Sequence, residues 1–85
     1  MKCVLVEWVD ATSYDPWHPL AEAETTSPHT IFSCGFLKYE DAYRIVLMLS
    51  YDSEGEAASQ VLAIPSQCIV AIHELKGLKT FKVLE

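Results

Sequence analysis

The sequence predicts an all-β domain, with five short strands closed, or nearly closed, into a small barrel. Three observations carry this prediction. Runs rich in β-branched and aromatic residues recur along the chain. Turn-forming residues separate them, with no sustained helical period. With 85 residues there is room for a single domain only.

The first strand is read at Lys2–Asp10. Val4, Val6 and Trp8 share one face, and Cys3, Leu5, Glu7 and Val9 the other. Both faces are largely apolar, so the strand is expected to be well covered. A long first loop follows from Ala11 to Pro28, punctuated by Pro16, Pro19 and Pro28. Proline removes a backbone donor and fixes φ, which stops helices and central strands. Within the loop, Leu20–Glu24 is expected to make one helical turn. The second strand covers Thr30–Lys38, with Phe32, Cys34 and Phe36 on one face. Gly35 predicts a bulge or a sharp bend there. Tyr39–Ala42 turns the chain into the third strand, Tyr43–Tyr51, whose strand pattern is the strongest in the chain. Asp52–Glu56 reads as a hairpin tip, with Gly55 supplying a positive φ. The fourth strand is Ala58–Ile64. Pro65-Ser66-Gln67 breaks it, and Cys68–Leu75 is the fifth. Residues 1–75 form the barrel in this reading. Residues 76–85 form a tail whose Leu78, Phe81, Val83 and Leu84 predict docking on the barrel or on a neighbouring subunit.

Composition narrows the function. The net charge is −6, and three of the six basic residues, Lys76, Lys79 and Lys82, fall in the tail. An acidic barrel repels phosphate backbones, so no general nucleic-acid binding is expected. Apolar residues make up 51% of the chain. A small domain covers its apolar surface poorly, so this surplus predicts a homo-oligomer. Cys3, Cys34 and Cys68 are odd in number and widely spaced. They read as free thiols acting as small hydrophobes, which suits a reducing cytoplasm. No signal-peptide pattern is seen, and no apolar run approaches the roughly 18 residues of a membrane span.

The segment Ile64-Pro65-Ser66-Gln67-Cys68-Ile69-Val70 resembles the short three-ten turn that precedes the last strand of Src-homology-three-type barrels. The strand order extends that resemblance over residues 2–75. Sm-like proteins share the topology. They usually begin with a helix where this chain begins with a strand, and their Asp-x-x-Met-Asn and Arg-Gly signatures are absent here. Their RNA binding is therefore not carried over. The chain also resembles a type of small bacteriophage and prophage protein. The matching residues are Val6, Trp8 and Asp10, then Trp17, then Ser33, Gly35 and Leu37, then Ile64, Pro65 and Ile69. This resemblance implies a phage accessory protein acting in the bacterial cytoplasm, with anti-defence as one role.

No chemistry-bearing motif stands out. His18, His29 and His73 have no second ligand at metal-binding spacing, so no metal or cofactor is expected. No nucleophile elbow, phosphate loop or carboxylate dyad is present, so no catalytic residue is assigned and the chain is not read as an enzyme. The best candidate ligand site is the aromatic loop with Tyr14, Trp17 and His18. A flat ring with a polar edge stacks on bases or anchors protein partners. Against this, Trp17 has a second reading as a plug over one barrel end. Tyr43 and Arg44 complete the candidate set, since an arginine beside a tyrosine can hold a phosphate and a base together. Three functions stay open: sequestering a nucleotide-type immune signal, binding a host protein, or building part of a phage assembly.

Overall fold

In a computed structural model, residues 1–13 and 17–76 are described. The five strands are β1 (Cys3–Asp10), β2 (His29–Glu40), β3 (Arg44–Tyr51), β4 (Ala58–Pro65) and β5 (Ile69–Leu75). Among the described residues there are also two three-ten turns, η1 (Leu20–Thr25) and η2 (Ser66–Cys68). The helical turn expected in the first loop is η1. The turn expected before the last strand is η2.

All pairing is antiparallel, in the order β4-β3-β2-β1-β5. β4 and β5 are the two outer strands and do not pair with each other, so the sheet is not closed. The expected barrel is therefore present as its five-stranded sheet alone.

β2 joins the two halves. Its first part pairs with β1 from His29↔Asp10 to Phe36↔Cys3. Its second part pairs with β3 from Phe36↔Met48 to Glu40↔Ile45. Gly35 lies at the changeover. A Cβ there would stand 2.9 Å from the Met48 carbonyl oxygen and 3.5 Å from the Leu47 Cβ. The absent side chain lets β3 cross close above β2. The bulge expected at Gly35 lies further along, where Lys38 is the extra residue between Leu37↔Leu47 and Tyr39↔Val46. A second irregularity leaves Val70 unmatched between Glu7↔Ala71 and Trp8↔Ile69. Bulges of this kind increase local twist and curl a sheet.

The curl wraps one face around a core of Val4, Val6, Trp8, Ile45, Leu47 and Ile64. Ile31, Leu37, Cys68 and Ile69 pack against it. Val6 and Ile64 are fully enclosed, each contributing about 1.5–3 kcal/mol on area grounds. Trp8 belongs to this core, and its Nε1–H donates to Ser33 Oγ at 3.0 Å. That bond satisfies the one polar group the indole buries.

The other face differs from expectation. The ladders place Val61, Met48, Phe36, Cys3 and Leu75 in one row across all five strands. Met48 in this row is buried, but Val61 is 59% exposed, and Phe32 further along β2 is 64% exposed. Val61 and Phe32 on this face are thus open to solvent in the single chain, while Cys3, Leu5, Glu7 and Val9 on β1, the strand expected to be well covered, are half-buried.

Gly35→Ala is expected to destabilise the fold by about 1–3 kcal/mol, because the added methyl meets backbone and not a movable side chain. Chemical denaturation checks this, with Gly55→Ala as a comparison. Gly55 has φ +80° and nothing within 4 Å of where a Cβ would stand, so its cost is conformational only and about 1 kcal/mol.

Candidate functional site

The turn between β2 and β3 is organised by Asp41. Its Oδ1 accepts from the amides of Tyr43 (2.8 Å) and Arg44 (3.0 Å). Its Oδ2 accepts from Tyr39 Oη (3.0 Å) and from the Arg44 guanidinium (3.2 Å). Asp41 N–H in turn donates to Arg44 O at 3.0 Å. Short polar side chains that bond their own following backbone are what such a tight turn selects. Arg44 Cζ also lies 5.0 Å from the centre of the Tyr39 ring, in cation–π range. The turn is tied to η2 by Ser66 N–H donating to Tyr43 O at 2.8 Å.

These contacts decide what Arg44 can do. One guanidinium edge is committed to Asp41 and one face to Tyr39. Its side chain nevertheless stays 50% exposed. Tyr43 is 80% exposed beside it. The two residues thus form a surface of one open ring and one half-used cation, already neutralised by a carboxylate. Amide donors from Tyr43, then from Arg44, together with the Tyr39 hydroxyl and the Arg44 charge, hold the Asp41 carboxyl below the usual aspartate range despite some desolvation.

The aromatic loop is only partly within the described residues. Tyr14 lies outside them. Trp17 is 92% exposed, which excludes the plug reading. His18 Nε2 lies 4.0 Å from Glu22 Oε2 in η1. The loop base is held by Thr12 Oγ1 donating to Ser27 O at 2.7 Å. Of the sequence-derived site residues, Trp17 and His18 stand on the first loop, while Tyr43 and Arg44 stand at the β2–β3 turn.

A cleft that the sequence did not suggest lies where β3 parts from β2. It encloses about 360 Å³ and is lined by Ser33, Cys34, Leu47, Met48, Leu49, Gln60, Val61 and Leu62. None of these residues is charged. Gln60 there has φ 51°, in the left-handed region, and the β3–β4 ladder skips its pairing with Leu49. Only the distance between β2 and the end of β3 creates the cleft, and no local sequence signal marks that distance. Cys34 on its wall is exposed, so it is not the buried hydrophobe expected, whereas Cys3 and Cys68 are half-buried. Burial, and then the neighbouring Cys34 thiol, push the Cys3 thiol above its ordinary range.

Among the described residues, no group of three or more His, Cys, Asp or Glu side chains is placed to hold a metal ion. No helix among them is long and apolar enough to cross a membrane.

Asp41→Ala is expected to lower the melting temperature at neutral pH by freeing two amides and the guanidinium. The depressed carboxyl of Asp41 contributes stability that is present above the ordinary aspartate pKa of about 3.9. That contribution is lost as pH falls through the lower folded value. The difference between wild type and variant should therefore shrink in acid, as thermal melts from neutral pH downward would show. Comparison of the chain with protein-family models, with curated proteins and with solved structures finds no match.

Proposed function

We propose that this chain is a non-enzymatic binding protein that works as an oligomer, built on a small barrel of the Src-homology-three or Sm-like kind. The observation that carries the reading is the state of the sheet's outer strands. From Ala58 to Pro65, β4 has no charged residue, and Ile64 is its one buried residue. In β5, Val70, Ile72 and Leu75 are 59%, 41% and 40% exposed. Monomeric proteins blunt such edges with charges, prolines or covering loops, because bare backbone and apolar side chains recruit another strand. Pro65 blunts only the far end of β4. An acidic chain with an uncharged edge has one strip where like-charged copies meet without repulsion.

The partner class that fits best is protein, either further copies alone or a host protein inhibited by the assembly. The cleft beside Cys34 has no cation for a phosphate. A second reading, capture of a nucleotide-type immune signal of the kind a phage anti-defence protein would sequester, is favoured by one arrangement. Tyr43 and Arg44 together present an open ring next to a half-exposed guanidinium. A phosphate there must compete with Asp41.

Native mass spectrometry of the full chain tests the first reading. An oligomer is expected, and Val61→Lys, which places a charge on the edge, should dissociate it. A monomer at micromolar concentration overturns the reading. A retained mass of nucleotide size, lost in Arg44→Ala, would move the assignment to the second.

A further inference from the structure

Cys3 opens β1, and Cys34 lies in the first half of β2. Leu37 N–H donates to Lys2 O at 2.8 Å, so residues 2 and 37 occupy a hydrogen-bonded position of the ladder. By alternation, Cys3↔Phe36 and Leu5↔Cys34 are non-hydrogen-bonded positions, where facing side chains stand closest. Cys3 and Cys34 are thus diagonal neighbours on one face. Right-handed strand twist draws one diagonal of such a pair together. Here the Cys34 thiol is near enough to help push the Cys3 thiol above its ordinary range.

We propose that Cys3 and Cys34 form an oxidisable dithiol, a modification site for low-molecular-weight disulfides that closes into a cross-strand disulfide. The two thiols differ in access. Cys34 is exposed on the wall of the 360 Å³ cleft. Cys3 is half-buried beside it. The Cys34 thiolate attacks one sulfur of the incoming disulfide and expels the first small thiolate, leaving a mixed disulfide. Cys3 gives up its proton to solvent and attacks the Cys34 sulfur, expelling the second. Both protein thiols are oxidised, and one external disulfide is reduced to two thiols. Diagonal positions average about 7–8 Å apart, wider than most disulfides span. Closing the bond therefore tightens the local twist, which keeps it within reach of reducing thiols. Cys68 takes no part, because it packs against the core cluster on the opposite face.

The test uses the wild-type chain with excess oxidised glutathione, followed by alkylation and intact-mass measurement. The expected product has lost two hydrogens and keeps one alkylatable thiol, at Cys68. Cleavage after glutamate should leave peptide 1–7 joined to peptide 25–40 until a reductant is added. In Cys3→Ser, the mixed disulfide at Cys34 should persist as a stable glutathione adduct. Closing the loop between residues 3 and 34 should also raise the melting temperature of the oxidised wild type. Glutathione adducts without an internal link in the wild type would overturn the proposal. So would three thiols left free, or a link that engages Cys68 or a second chain.

Discussion

The close crossing at Gly35 is the constraint on which the rest of the structure depends. One strand, β2, has to serve two neighbours in succession, β1 along its first part and β3 along its second. That requires β3 to arrive over the middle of β2 at a distance that leaves no room for a Cβ. Because β3 arrives there, Ile45 and Leu47 come down on Val4, Val6 and Trp8, and β4 delivers Ile64 to the same place. The core is small, and its β3 and β4 members reach it through this crossing. The extra residue at Lys38 and the kink at Gln60 continue the curl on either side.

The same crossing produces the surfaces on which the proposed function rests. Beyond Met48, β3 leaves β2 and a cleft opens between them. The curl that encloses one face turns the other outward, with its apolar row from Val61 to Leu75. A sheet curled this far but not joined at its edges leaves two strands without outer partners. In an acidic chain, uncharged β4 is the place where another copy meets least repulsion. The fold and the surface of the proposed assembly are thus two consequences of one geometry.

The Asp41 turn plays a complementary role. It converts Arg44, the cation that sequence reading singled out for a ligand, into part of the fold. An arginine bound to a carboxylate, stacked on a ring and placed beside η2 sets the position of the β2–β3 connection. Its remaining exposure is what a ligand could use. Trp17 shows the opposite outcome. Sequence reading left it as plug or contact surface, and the structure leaves the indole almost wholly in solvent.

The sequence by itself determined the elements. β-branched runs, prolines and turn residues act within a few positions, so five strands, the helical turn in the first loop and the Gly55 hairpin tip were legible, while the turn before the last strand was implied by the resemblance at residues 64–70. It also put Val4, Val6 and Trp8 on one face, because alternation along a strand is a local property. Tertiary structure alone decided which of two apolar faces is enclosed. The alternating pattern of β1 is apolar on both sides, and only the direction of the curl chooses between them. It alone decided that the sheet stays open, since pairing of β4 with β5 depends on accumulated twist and on no single residue. It alone brought Cys3 to Cys34 across 31 positions, because ladder register is a relation between strands that neither strand encodes alone.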